Sequence, residues 1–147
     1  MKKIELLAPA GNMDCLIAAV EAGCDAVYLG GNNFGARAFS KNFDNESIIK
    51  AINYCHLYGV KVYVTVNTII YEKEVDKFIE YIDFLHRNNV DAVLIQDLGM
   101  LDLIRNTYPN LEVHASTQMH IHNLDGVKVM ESLGVKRVVI ARETSIA

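Results

Sequence analysis

Several polar or charged residues come directly after short apolar runs of this 147-residue chain. Asn67 follows KVYVTV, Gln96 follows DAVLI, and Ser116 follows LEVHA. Amide, carboxylate and hydroxyl groups in such places can bind a substrate or move a proton, provided that the fold brings them together. The candidate substrate-binding residues chosen on this ground are Asn12, Gly31, Arg37, Asn67, Gln96, Asp97, Ser116, Gln118, Arg142 and Glu143.

The segment GGNNFGARAFSKNF, residues 30–43, has the most distinctive composition. Its three glycines allow positive φ angles and a close approach of the backbone to a ligand. Arg37 lies inside this segment, where its guanidinium could bind a carboxylate or a phosphate through two parallel hydrogen bonds. The alternative is that Arg37 fixes the loop by bonding backbone carbonyls, and the sequence leaves both interpretations open.

Three histidines, His114, His120 and His122, raise the question of a metal site. Their spacing matches no helical ligand motif such as HExxH. His114 also lies within an apolar run, which favours a polar residue in the interior of the fold. We therefore predict no metal site.

Ser116 raises the question of a serine nucleophile. It lacks the GxSxG elbow of many serine hydrolases. His114, two residues away on the same strand face, is poorly placed to act as its base. We predict no triad at Ser116, whereas Asp97 and Glu143 remain candidates for a pair of acids.

The elements that would position these residues repeat one unit, a short apolar strand followed by a polar turn and a helix. The segments AGCDAVYLGG, NNVDAVLIQD and LGVKRVVIAR share a turn residue before the strand. Asn12 is predicted to cap the first helix. The predicted strands cover residues 4–8, 25–30, 61–67, 91–96, 111–116 and 136–141, and the predicted helices cover residues 12–22, 46–58, 73–87, 99–106 and 123–133.

This alternation predicts parallel βαβ units in a sheet covered on both faces. Residues 8–12 lack the GxGxxG sequence with which a doubly wound sheet usually opens. We therefore predict an α/β fold, a TIM-type (β/α) barrel, as a single partial domain over residues 1–147. About six of the eight βα units are present, so two unpaired sheet edges would favour a homo-oligomer. The site is expected at the carboxyl ends of the strands.

The composition is that of a globular protein, with 51% apolar and 22% charged residues. A net charge of −4 provides no global attraction for nucleic acid. No apolar run reaches the roughly 18 residues that cross a bilayer, and the first residues do not resemble a signal peptide, so we expect a cytoplasmic protein without membrane contact. Cys15, Cys24 and Cys55 have no CxxC spacing and are predicted to be buried free thiols.

The chain resembles the collagenase-like U32 peptidase family in six segments that occur in the same order. These are ELLAPAGN, DAVYLGG with FGARAF, HLYGVKVYVTVNT, VDAVLIQDLG, HASTQMHIHN and VKRVVIARE. The resemblance implies the N-terminal part of a barrel, and it implies a peptidase acting on a peptide substrate. The alternative that it implies is a tRNA or rRNA hydroxylation protein with an RNA substrate. In that case Arg37 and Arg142 would hold a carboxylate co-substrate such as prephenate.

Two further expectations come with this resemblance. Several family members carry an iron–sulfur cluster on four cysteines that lie downstream of the matched segments. Cys15, Cys24 and Cys55 do not correspond to those cysteines, so we expect no cofactor in this chain. With about two strands and their loops missing, the isolated 147-residue chain is expected to be inactive.

Overall fold

A computed structural model describes residues 4–36 and 42–145, within which six β-strands and five α-helices alternate. The strands are β1 (Leu7–Pro9), β2 (Ala26–Gly30), β3 (Lys61–Val66), β4 (Ala92–Ile95), β5 (Glu112–Ala115) and β6 (Arg137–Val138). The helices are α1 (Met13–Glu21), α2 (Asn45–Leu57), α3 (Val75–Arg87), α4 (Leu98–Thr107) and α5 (Leu124–Ser132). Two short 3-10 helices, Glu72–Glu74 and Thr117–Met119, precede α3 and α5.

The six strands lie in one parallel sheet, in the order in which they occur along the chain. Tyr28 of β2, for example, pairs with Tyr63 of β3, and Val64 of β3 pairs with Val93 of β4. Because the strands are parallel, their carboxyl ends all lie on one side of the barrel. Each helix returns the chain to the opposite side, where the next strand begins. The predicted α/β fold, an incomplete TIM-type barrel, is confirmed.

The sheet is curled rather than flat. In a flat sheet, five strand spacings of about 4.8 Å would place β1 and β6 roughly 24 Å apart. Yet Arg137 of β6 donates a hydrogen bond from Nη1 to Oε1 of Glu5, just before β1, at 2.6 Å. Tyr63 of β3 donates to the other Glu5 oxygen at 3.0 Å, and the Arg137 guanidinium lies 5.2 Å from the centre of the Tyr63 ring. The first, third and last strand regions therefore meet across the inner face of the sheet.

The main core lies between the outer face of this curl and the helices. Alternate strand residues point outward, and this set includes Val27, Val62 and Val93, which are fully buried. The helices cover them with side chains that are at most 2% exposed, namely Leu16, Ile48, Ile52, Phe78, Ile82, Leu85 and Ile104. The inner face forms a separate, smaller cluster of Ala26, Tyr63 and Ala92, against which Leu7, Tyr28 and Leu94 pack.

His114 of β5 lies on the inner face, as the sequence predicts. Its side chain is 1% exposed and meets the Tyr63 ring edge-on, with 4.8 Å between ring centres. Its Nε2 lies 2.8 Å from Oε1 of Glu112. Burial lowers the pKa of His114 below its usual value, while the hydrogen bond with Glu112 opposes that shift. The neutral imidazole is therefore the favoured form inside the curl.

All six described strands are shorter than predicted, and the first and the last differ most from their predicted bounds. The first begins at Leu7 rather than at Ile4, because the Leu6 N–H donates to Asp25 Oδ2 at 2.8 Å instead of joining the strand ladder. The sixth covers Arg137–Val138 rather than residues 136–141. The Val139 N–H still donates to the Ala115 carbonyl of β5 at 2.9 Å, but the Ala141 N–H donates to the Ile121 carbonyl at 2.8 Å.

An aspartate at the start of a strand forms the same contact in two of the repeated units. Asp25 accepts from the Leu6 N–H, and Asp91 accepts from the Val62 N–H, each at 2.8 Å. In both cases the side chain binds the backbone at the beginning of the preceding strand. The DAV sequence of the repeat thus has a physical role, since it aligns the amino ends of neighbouring strands.

The three cysteines have different surroundings. Cys24 and Cys55 are buried, and burial raises the pKa of Cys55 to about 12. Cys15 is exposed, so the prediction of a buried thiol is wrong at this position. The reason is the helical repeat: Leu16 and Val20 form the buried face of α1, and Cys15 is turned about 100° away from Leu16.

Both outer strands have an unpaired edge within the described part of the sheet. β1 pairs only with β2, and β6 pairs only with β5. Apolar side chains lie exposed beside these strands, with Ile4, Leu6 and Ile140 at 91%, 57% and 52% exposure. Association through these edges stays a prediction. Separately, none of the described helices has both the length and the apolar character needed to cross a membrane.

The buried imidazole predicts a specific dependence of stability on pH. Because the folded-state pKa of His114 is lowered, its contribution is fully present above the usual value of 6.5 and is lost as the pH falls through the folded pKa. We expect the Tm to fall between pH 7 and pH 5, and the slope to be smaller in His114→Gln. His122→Gln, which replaces an exposed imidazole, is the control. Equal slopes in all three proteins would contradict this assignment.

Candidate functional site

A cavity of about 780 Å³ opens at the carboxyl ends of the strands, and we call it the mouth cavity. This volume lies within the range of about 300–1,000 Å³ that is typical of small-molecule sites. Six of the candidates chosen from the sequence line it, and they come from the ends of four different strands. They are Asn12, Asn67, Ser116, Gln118, Arg142 and Glu143.

Asn67, directly after β3, connects two walls of the mouth cavity. Its Nδ2 donates to Ser116 Oγ at 3.2 Å, and its Oδ1 accepts from the Ala36 N–H at 3.1 Å. The next residue, Thr68, donates from Oγ1 to the Phe34 carbonyl at 3.1 Å. The residues after β3 therefore hold the loop that follows β2 against the top of β5.

Phe34 fixes the loop after β2 by packing against α3. It has a φ angle of 56°, a left-handed conformation that is uncommon for a bulky residue. Its ring packs edge-on against Phe78 with 5.5 Å between ring centres, and lies 6.1 Å from Tyr81. Aromatic packing of this kind compensates for the backbone strain and places Gly35 and Ala36 at the cavity wall.

Ser116 is 3% exposed and lies at the beginning of the 3-10 helix Thr117–Met119. Its Oγ accepts from Asn67 Nδ2 and, more weakly, from the Gln118 N–H at 3.4 Å. His114 is engaged with Glu112 and Tyr63 on the inner face. Serine and histidine thus have separate partners, in agreement with the prediction that they do not form a nucleophile and its base.

Asn12 has two roles. Its Oδ1 accepts from the Cys15 N–H at 2.8 Å, which confirms the predicted cap of α1. The residue also lines the mouth cavity next to Gly11. On the opposite side, Arg142 and Glu143 are exposed residues of the loop after β6 that line the same cavity.

Gln96 and Asp97 lie outside the mouth cavity and line a smaller cavity of about 370 Å³. Both oxygens of Asp97 bind backbone: Oδ1 accepts from Met100 N–H at 3.1 Å, and Oδ2 accepts from Ile70 N–H at 3.2 Å. Asp97 therefore caps α4 and fixes the loop after β3. Since Glu143 lines the other cavity, the structure does not bring Asp97 and Glu143 together as a pair of acids.

Gly31 is a packing residue. It forms a single bridge with Phe43, and a Cβ atom added at Gly31 would collide with the hydroxyl of Tyr81. That hydroxyl is buried without a hydrogen-bond partner among the described residues, and burial raises the pKa of Tyr81. Arg37, the other candidate of this loop, lies outside the described residues.

The sequence analysis did not identify several residues of the mouth cavity, among them His120, Tyr28 and Thr65. His120 has a left-handed backbone, with φ of 54°, and its carbonyl accepts from His122 Nδ1 at 3.0 Å. The spacing of the three histidines indicated neither a metal site nor a place at this cavity. Within residues 4–36 and 42–145, no three His, Cys, Asp or Glu side chains are grouped so that they could hold a metal ion.

An incomplete parallel (β/α) barrel with polar residues from four strand ends around one cavity defines the class of this protein. The chain belongs to peptidase family U32, whose family model matches residues 11–147. Among solved structures it is similar to a U32 peptidase, with a TM-score of 0.73 and 13% identity, over 95% of this chain and 60% of that chain. At that identity the likeness concerns the fold alone.

Three relatives carry names from two functional classes, RNA hydroxylation and proteolysis. The chain is 40% identical to the tRNA hydroxylation protein P1 of Bacillus subtilis (strain 168), over 98% of this chain and 34% of that protein. It is 39% identical to an uncharacterized protease of Methanocaldococcus jannaschii, over 99% and 35%. It is 37% identical to the 23S rRNA 5-hydroxycytidine synthase of Escherichia coli (strain K12), over 98% and 21%. The chain thus spans about a third or less of the length of these relatives.

The close packing at Gly31 leads to a prediction for stability. Gly31→Ala should destabilise the fold by about 2 kcal/mol, because the added methyl group would collide with the Tyr81 hydroxyl and lie 3.1 Å from Ile48 Cδ1. Denaturant unfolding measures the change. Gly11→Ala is the control, since nothing lies within 4 Å of a Cβ there. Tyr81→Phe should recover part of the loss in the Gly31→Ala background, and an unchanged midpoint for Gly31→Ala would contradict the close contact.

Proposed function

We propose that this chain forms part of the barrel of an RNA hydroxylation protein, and that its mouth cavity binds a carboxylate co-substrate such as prephenate. The observation that carries the proposal is the combination of one guanidinium with several neutral hydrogen-bonding groups in one cavity. Arg142 supplies the positive charge, and Asn12, Asn67 and Ser116 supply amide and hydroxyl groups. Such a set suits a small polyoxygenated acid.

The two charged residues of the cavity lining, Arg142 and Glu143, can bind different groups of such a ligand. Arg142 can bind a carboxylate with two parallel hydrogen bonds, which fixes the position and the orientation of the acid. Glu143 beside it can accept a hydrogen bond from a hydroxyl group of the same ligand. Arg37 remains a candidate for a second carboxylate contact, because Ala36 lies at the cavity wall.

The names of two relatives also support the proposal. The tRNA hydroxylation protein P1 and the 23S rRNA 5-hydroxycytidine synthase match this chain over 98% of its length. A net charge of −4 makes the chain a poor general binder of RNA. RNA would therefore be bound through local contacts at the barrel mouth and by other parts of a longer protein.

A peptidase that cleaves peptide substrates is the second candidate. The family description and the name of the Methanocaldococcus jannaschii relative favour it. In the structure, the Ser116 hydroxyl and the Glu143 carboxylate line the same cavity, and both groups occur in hydrolases. Because the His114 ring is bound on the inner face, Ser116 would need a base from elsewhere.

Neither candidate is assigned a cofactor on this chain. Cys15 is exposed on α1, whereas Cys24 and Cys55 are buried. That these thiols hold no cluster stays a prediction. An iron–sulfur cluster on cysteines downstream of this segment stays a prediction for a longer protein.

The proposal is tested in cells that lack the gene and carry a plasmid copy of the full-length protein. We expect Arg142→Ala to weaken prephenate binding at least tenfold, because a charge-assisted pair of hydrogen bonds is lost, and to remove the hydroxylated nucleoside from RNA analysed by mass spectrometry. Arg87→Ala is the control, since Arg87 lies on α3 and pairs with Asp83 at 2.8 Å.

Wild type, Arg142→Ala and Arg87→Ala are also purified and assayed for cleavage of gelatin and short peptides. Hydroxylation that depends on Arg142, without cleavage, supports the proposed function. Unchanged RNA in the cells that lack the gene, together with cleavage that increases with protein concentration, would instead establish the peptidase.

A further inference from the structure

The smaller cavity, which we call the side cavity, lies between the loops that follow β3, β4 and β5. It has a volume of about 370 Å³. All the elements around it belong to the middle of the described sheet. Strands added beyond β1 or β6 would therefore leave its walls in place.

Most of the side-cavity wall is apolar and adaptable. It is formed by the side chains of Ile69, Leu98, Met119, Ile121 and Met130. Methionine fills irregular spaces and its sulfur makes favourable contacts with aromatic rings. Leu98 and Ile69 are 57% and 65% exposed, so a ring can enter from solvent between them. This wall suits a flat ring that is sandwiched between aliphatic side chains.

Gln118 is, with Gln96 and Asp97, one of three polar residues of this wall, and it also lines the mouth cavity. Its Oε1 is buried and has no hydrogen-bond partner among the described residues. A buried acceptor of this kind is favourable only when a ligand or water supplies a donor. The side-chain amide presents an acceptor and a donor next to each other.

We propose that the side cavity binds a pyrimidine base of the RNA and that Gln118 reads the Watson–Crick edge of that base. This inference rests on the proposed function. Uracil offers N3–H and O4, and cytosine offers N4–H and N3, so either base matches the adjacent acceptor and donor of an amide. A base must leave its stack to be modified, and an apolar slot with few polar groups receives such an extruded base.

The position of Gln118 also relates the two ligands. One side chain borders the cavity assigned to the carboxylate co-substrate and the cavity assigned to the base. The two ligands would therefore lie on either side of Gln118. Gln118 is thus a specificity residue for the base.

The test is a titration of the full-length protein with cytidine and uridine monophosphates, followed by ligand-observed NMR. We expect Gln118→Leu to weaken binding about tenfold, because it removes both hydrogen bonds and keeps the volume. Leu98→Glu should weaken binding by a similar factor, because it places a carboxylate at the cavity entrance, where it repels the anionic nucleotide. Leu124→Glu is the matched control: Leu98 and Leu124 both begin a helix after a side-chain cap, and both are exposed.

Each outcome decides between the alternatives. Nucleotide binding that is equal in wild type, Gln118→Leu and Leu98→Glu would overturn the proposal, as would no binding by wild type. If circular dichroism shows that Gln118→Leu does not fold, the comparison of Leu98→Glu with Leu124→Glu decides alone. Prephenate binding is measured by calorimetry on wild type, Leu98→Glu and Leu124→Glu and should be unchanged, because neither leucine lines the mouth cavity. If Gln118→Leu and Leu98→Glu lose nucleotide binding but no protein, including wild type, binds prephenate, the base site is supported and the proposed co-substrate is rejected.

Discussion

The rest of the structure depends on the curvature of the sheet, which brings Glu5 and Arg137 together as an ion pair. The two residues belong to the first and last described strand regions, and their side chains meet at 2.6 Å across the inner face. The hydrogen bond from Arg137 holds the pKa of Glu5 below its usual range, and the Tyr63 hydroxyl contributes to this shift. The pair is only partly buried, so its direct contribution to stability is modest. Its importance is geometric, because a flatter sheet would separate Asn12 from Arg142 and the mouth cavity would not form.

The ionisable groups at the amino ends of the strands differ in their surroundings from those at the carboxyl ends. Towards the amino ends of the strands, Glu5, Tyr63, Glu112, His114 and Arg137 form one connected network with defined partners. Burial is the main reason that the pKa of Tyr63 is raised to about 12. At the carboxyl ends, Arg142 and Glu143 are exposed beside a cavity. In (β/α) barrels the first end serves stability and the second serves binding, and the side chains follow that division.

The sequence predicted the fold because its information is local and repeated. A β-branched run before each helix was enough to place six strands, and the parallel arrangement then nominated the strand ends as the site. Asn67, Ser116 and Arg142 were chosen in this way, and they line the mouth cavity. The predicted strand ends failed where a side chain captured a backbone group, as Asp25 does with Leu6.

What the sequence did not reveal depends on long-range packing. Gly31 was chosen for its flexibility, yet its place is fixed by Tyr81, 50 positions later in the chain. Asp97 has the residue type of an acid, but both of its oxygens bind backbone. His120 enters the mouth cavity because a left-handed backbone after the 3-10 helix directs it there, and no pattern of residue types signals that conformation.

The order of the strands has a consequence for biosynthesis. Each strand pairs with the one made just before it, so no strand has to wait for a distant partner as the chain leaves the ribosome. Contacts between segments that are close in sequence also form fastest. The exception is the bond between Glu5 and Arg137, whose partners are 132 positions apart. Pairing can advance with translation, whereas the curvature that creates the binding site is completed only once the sixth strand has emerged.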